Sequence, residues 1–156
     1  MTKTVEEFVA AARAGRPDLQ IDRYKVRTFG SSKAMADIIV PLIQSGEKTG
    51  TFALHAEFES DPSKAPQLGD WYVVTWFEGP PVLLYRVTEV EIVPFEGISH
   101  QHVQVEGRNA RDVKIWRDIH WPYWGGMMRA WGKEPSMQMP VIFHRYEVVY
   151  PTAAAG

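Results

Sequence analysis

The chain contains no cysteine. That excludes disulfides and thiolate metal sites as stabilising devices and fits a reducing compartment, so a cytoplasmic location is the expectation. An excess of charge of either sign is also missing: 17 Lys and Arg stand against 19 Asp and Glu, a net charge of −2 at pH 7. A field that weak does not draw in a polyanion, so any nucleic-acid contact has to be local. The longest apolar run, residues 36–43, is interrupted by Asp37 and Pro41 and falls far short of the ~20 residues a bilayer span needs. No membrane segment is expected. Residues 1–7 pair one lysine with two carboxylates and lack the basic and apolar regions of a secretory leader. Gly-rich phosphate loops and Gly-x-Ser-x-Gly elbows are absent as well, which weighs against nucleotide hydrolysis and the α/β-hydrolase fold.

What is present suits one compact domain. The chain has 156 residues, 45% of them hydrophobic, a size at which folding buries about two-thirds of the chain's surface. Thr4 followed by Glu7 is a capping-box pattern, and Val5, Phe8, Val9 and Ala12 recur at helical spacing as far as Gly15 and Pro17. Ser31 or Ser32 can cap a second helix with an apolar stripe of Met35, Ile38, Ile39, Leu42 and Ile43, a kink at Pro41 and a stop at Gly46. The period then changes. Turns at residues 68–70 and 78–81 bound two β-rich runs, 71–77 and 82–95, which read as antiparallel strands. Residues 110–131 read as a helix carrying Val113, Trp116, Ile119 and His120 on one face, bent or broken at Pro122 and Gly125-Gly126. Residues 139–150 read as a closing strand. Strands on both sides of a helical insert indicate an α+β fold, a curled sheet or small barrel with helices at its rim.

Several segments in this order carry a more specific signal. They are Gly46-Glu47-Lys48-Thr49-Gly50-Thr51 after a helix, Leu68-Gly69-Asp70 before a strand, and Val90-Glu91-Ile92-Val93-Pro94-Phe95. The pair Glu106-Gly107, Trp116-Arg117 with His120, and the ending from Pro140 to Tyr150 complete the set. Together they resemble the ASCH family in its longer members, over roughly residues 29–150. The resemblance implies a PUA-like small β-barrel at residues 28–151, after an N-terminal helix and lead-in at 1–27 and before a disordered tail at 152–156. It also implies a cleft with the Gly-x-Lys-x-x-Thr segment at its edge. Some members of the family hydrolyse N4-acetylcytidine and related acylated cytidines; others bind or cleave RNA.

Amide hydrolysis needs a nucleophile, a group that takes its proton and returns it to the leaving amine, and donors for the oxyanion. By the resemblance, Lys48, Thr51 and Glu106 match the catalytic lysine, threonine and glutamate of the acylated-cytidine hydrolases. A lysine serves as a base only if burial or a neighbouring positive charge disfavours its ammonium form, so burial of Lys48 is a requirement of that reading. Taken alone, Lys48 after a helix end complements the helix dipole, Thr51 is an ordinary strand residue, and Glu106 is a solvated loop carboxylate. Gly50 gives the loop extra freedom where a residue with a side chain is more usual. Glu91 reads as an outward or barrel-lining carboxylate.

Candidate substrate contacts are Thr49, Arg27, Arg117 and the rings of Trp121, Tyr123 and Trp124, which crowd around Pro122 where a rim ring could cover a flat pyrimidine. Core packing is the alternative for those rings. His100 and His102, at strand-like spacing, resemble half of a metal site that His55, His120 or His144 could complete. Lone histidines are more often structural, and neither a metal nor another cofactor is expected. Two functions follow. One is an amidohydrolase acting on a small modified nucleoside. The other is an RNA-binding module or ribonuclease holding the backbone with Lys25, Arg27, Lys48 and Arg117.

Overall fold

The computed structural model describes residues 3–152; the expected disordered tail lies, apart from Thr152, outside them. Four helices and five strands follow in the order α1 (Val5–Gly15), β1 (Lys25–Thr28), α2 (Lys33–Gln44), β2 (Gly50–Leu54), β3 (Trp71–Thr75), β4 (Pro81–Pro94), α3 (His100–Val103), α4 (Val113–Ala130) and β5 (Pro140–Tyr150). The strands form one mixed sheet in the order β1-β3-β4-β5-β2. β1 runs parallel to β3, β3 antiparallel to β4, and β2 antiparallel to β5. No helix among the described residues is long and apolar enough to cross a membrane.

The chain divides into two compact units, each assembled from separate segments: residues 1–46, 68–88 and 146–156 in the first, residues 47–67 and 89–145 in the second. In the first unit α1 starts as its sequence dictates. The Thr4 hydroxyl accepts the Glu7 N–H at 3.1 Å and the Glu7 carboxylate accepts the Thr4 N–H at 3.3 Å, so two of the N–H groups that a helix start leaves unpaired find partners. Phe8, Val9 and Ala12 of this helix join Trp71, Val73 and Leu84 in the core of the unit.

The second helix is found where expected, capped by Ser32 and followed by Gly46 at φ +81°, but with only part of the expected stripe inward. Ala36, Val40 and Ile43 are buried, whereas Met35 and Ile38 of the expected stripe are 43% and 67% exposed. Apolar residues lie nearly all round this helix, so spacing alone did not select a face. The turn at 68–70 is also present, with Gly69 at φ +87°.

In the second unit the core gathers Phe52, Leu54, Phe95, Val105, Trp116, Trp124 and Phe143 among others. Here α4 departs from expectation by running unbroken through Pro122 and Gly125. Trp116, Trp124 and Met128, at helical spacing, are all buried, and that stripe holds the helix together across the one backbone hydrogen bond Pro122 cannot donate. Ile119, expected on the same face, is 52% exposed. His100 and His102 sit in the short helix α3, not a strand. Nδ1 of His102 accepts the Ser99 N–H at 3.0 Å, and its Nε2 lies 3.3 Å from the carboxylate of the exposed Glu91.

Candidate active site

The second unit contains Lys48, Thr51 and Glu106 and brings the first and last into contact. Lys48 lies in the short link between Gly46 and β2 and is only 6% exposed, which meets the requirement of burial. Its amine is paired with Oε1 of Glu106. The side chains of the pair are 7% and 12% exposed, a setting in which water screens the two charges weakly.

The backbone around the pair is fastened by short-range contacts. The Thr49 N–H donates to the Val105 carbonyl at 2.8 Å, which clips the Lys48 link beside the segment that carries Glu106. Arg111 donates from Nε to the Glu106 carbonyl at 2.7 Å and from Nη2 to the Glu47 carbonyl at 2.9 Å. A single planar guanidinium therefore ties the Glu106 backbone to the peptide that joins Glu47 to Lys48. Glu47 in turn accepts the backbone N–H and the Nε–H of Arg108, both at 3.1 Å. The Arg108 backbone donor, assisted by its charge, holds the Glu47 carboxyl below the usual carboxylate range.

Thr51, 8% exposed, faces His144 across the β2–β5 ladder. Successive strand residues point to opposite faces, so Phe52 turns the other way, toward Trp116 at 5.0 Å and His120 at 6.1 Å. Gly50 corrects an expectation. It is a strand residue without a left-handed φ, and a Cβ there would sit 2.6 Å from the His144 carbonyl and 3.0 Å from Val105 Cβ. The position demands glycine for close approach, not for freedom.

The other candidates scatter. Thr49 is exposed beside the pair and contributes its backbone N–H. Trp124 is a core ring, 3% exposed and edge-on to Trp116 at 5.6 Å, so it is not the rim ring the clustering suggested. Trp121 is half-buried against Phe95 at 5.4 Å, and only Tyr123, 53% exposed, stands out from the helix. Arg117 donates to the Glu96 carbonyl at 3.0 Å. Arg27 belongs to the other compact unit, where its guanidinium lies over the Phe29 ring at 3.8 Å.

Sequence reasoning passed over two residues. Arg111 carried no signal of its own in the sequence. His120 was read as structural, and it is stacked on Trp116 at 4.4 Å, yet Glu106 and Lys48 both act electrostatically on its ring.

Comparison with known proteins fits this picture. The profile of the ASCH domain family matches residues 25–150, leaving α1 ahead of the matched span. No curated protein sequence matches the chain. Among solved structures, an ASCH domain from Lactobacillus crispatus JV V101 superposes with a TM-score of 0.82 at 20% identity, over 93% of each chain. Protein EF3133 from Enterococcus faecalis V583 superposes with a TM-score of 0.79 at 22% identity, over 94% of this chain and 92% of its own. The fold is accordingly the α+β, PUA-like one that the sequence suggested, and the chain belongs to the ASCH domain family.

Proposed function

We propose that this chain is an amidohydrolase that removes the acyl group from N4-acetylcytidine or a related N4-acylated cytidine. The observation that carries the reading is the ion pair of Lys48 with Glu106, withdrawn from water, three residues ahead of a buried threonine. A charged pair taken out of water gains little stability over an apolar replacement. Its presence three residues before a buried threonine is better accounted for by chemistry. In the reacting form the one proton of the pair lies on Glu106 and Lys48 is a neutral amine; Thr51, or a water, attacks the acyl carbonyl, Lys48 takes the proton of the nucleophile, and Glu106 gives its own proton to the exocyclic nitrogen. The acyl carbon–nitrogen bond breaks and cytidine leaves with its free amine; where Thr51 is the nucleophile, a water then cleaves the acyl ester on its hydroxyl and the carboxylic acid departs. A carboxylate in contact with the base plays the part that a third group plays in a hydrolase triad.

The cations favour a nucleoside over RNA. Lys25 pairs with Asp70, Arg108 with Glu47 and Lys114 with Asp118, while Arg111 and Arg117 are spent on backbone carbonyls. A nucleoside brings no phosphate and asks for none of them. The test is loss of N4-acetylcytidine absorbance with the wild-type chain and with Lys48→Ala, Thr51→Ala and Glu106→Ala. Turnover by the wild type that falls by two to four orders of magnitude in the folded Lys48 and Thr51 variants is the expected result, the range being about that of a lost acid–base group. A wild type without turnover overturns the reading and directs the next titration to single-stranded RNA.

A further inference from the structure

One more polar side chain of the same unit keeps a hydrogen-bonding atom unused and has no task in the mechanism above. His120 is packed among rings, stacked on Trp116 at 4.4 Å, 4.7 Å from Trp124 and 6.1 Å from Phe52. Its Nδ1 lies 2.7 Å from the Trp116 carbonyl oxygen. A carbonyl oxygen only accepts, so Nδ1 carries the hydrogen, and in a neutral ring Nε2 is then a bare acceptor. Burial lowers the imidazole pKa from its ordinary 6.5, which makes the neutral ring the form present at pH 7. The charged groups acting on the ring are Glu106, which favours its protonation, and Lys48, which opposes it. The side chains packed against it from β2 and α4, Phe52, Trp116 and Trp124, are uncharged. Among the described residues Nε2 has no hydrogen-bond partner.

We propose that His120 is a substrate-orienting residue of the Lys48–Glu106 site, whose Nε2 accepts the N–H of the ligand's amide and so confines the substrates to secondary amides. This rests on the hydrolase reading and sharpens it. The exocyclic amide of an N4-acylated cytidine carries one such hydrogen. Accepting it turns the acyl group to a single orientation about the ring, and an amide methylated at the same nitrogen has no hydrogen to give. Specificity follows from the unmade hydrogen bond, because the methylated amide sets a methyl group where Nε2 needs a donor.

The substitutions that test this separate the two ring nitrogens. His120→Asn keeps a donor within reach of the Trp116 carbonyl and removes the distal acceptor; His120→Gln sets an amide oxygen near the place of Nε2. Expected is a loss of about tenfold or more in kcat/KM on N4-acetylcytidine for His120→Asn, partial recovery in His120→Gln, and strong wild-type preference for N4-acetylcytidine over its N4-methylated analogue. That preference narrows in His120→Asn. Equal losses in both variants with the preference unchanged would mean a packing role and overturn the proposal. A readout independent of turnover is the long-range 1H–15N spectrum of the wild type at pH 7, in which Nδ1 is protonated and Nε2 bare; hydrogen on Nε2 overturns the proposal even in an active enzyme. Should the wild type turn over no acylated cytidine, the hydrolase reading falls by itself. The proposal is then decided by whether N4-acetylcytidine shifts the Nε2 resonance: a shift supports it and no shift overturns it.

Discussion

A lysine and a glutamate with side chains 7% and 12% exposed have each lost most of their hydration, and each depends on the other to make up for it. Removing one partner leaves the other charge buried alone, which costs ~3–5 kcal/mol, while replacing both with apolar side chains of similar size is near neutral. Glu106→Ala is therefore expected to lower the unfolding free energy by about that amount in urea titrations, and Lys48→Met with Glu106→Leu to recover most of it while remaining inactive. A double variant as unstable as the single one would show that the pair is structural. Gly50 makes a second residue-scale case. Gly50→Ala forces a methyl to within 2.6 Å of a backbone oxygen, and an overpacked site of this kind loses ~1–3 kcal/mol by the same measurement. Sequence marked Lys48, Thr51 and Glu106 through the order of short segments, and it stated burial of Lys48 as a condition that the structure meets. It misread Gly50, because the closeness of β5 and Val105 is a tertiary fact with no local trace. It also gave no hint of the tautomer of His120, which depends on a carbonyl one helical turn away.

Elements were legible where their ends carry chemistry. The capping box at Thr4, the Ser32 cap and the left-handed glycines at 46 and 69 punctuate the chain as written. Faces were less legible, since α2 is apolar on several sides and α4 carries aromatic residues both inward and outward. The two faces of α4 respond differently to truncation. Trp124→Ala empties a core position and is expected to cost ~3–5 kcal/mol. Tyr123→Ala, one residue away and 53% exposed, stays within ~0.5 kcal/mol. Thermal or urea unfolding of the pair checks the orientation of the helix, and equal losses would contradict it.

For the molecule as a whole, acid acts in two stages. The His120 pKa is lowered in the fold, chiefly by burial, so between that lowered value and 6.5 the unfolded chain binds the extra proton. Stability is accordingly lost as pH falls through that window and is unaffected above it. Glu47, Asp18 and Glu59 are also lowered, by the hydrogen bonds of Arg108, Arg16 and Lys133 respectively. Their contribution is present above the ordinary carboxylate values and disappears as pH drops through the folded ones. Urea midpoints at about pH 7, 5 and 3 are expected to fall in both intervals. His120→Gln should flatten the first interval alone, and an unchanged first interval in that variant would assign it to other groups. Salt tests the ligand class. Affinity for an uncharged nucleoside is expected to change little between about 50 and 200 mM salt, where a protein with 6–10 phosphate contacts loses ~10³–10⁵-fold.

The threading of the chain bears on how this site can be handled and inherited. Lys48, Thr51 and Glu106 all fall within residues 47–145, but that stretch also contains residues 68–88 of the other unit. Within it β3 would lose its parallel neighbour β1, and Trp71, Val73 and Leu84 would lose the cover of α1. Such a fragment presents an unpaired strand edge above a stripped apolar face, the combination that aggregates. The stretch that holds the candidate site is thus not portable: excision, fusion or recombination cannot transplant it as a cassette, and the proposed chemistry can pass to a new protein only with nearly the entire chain.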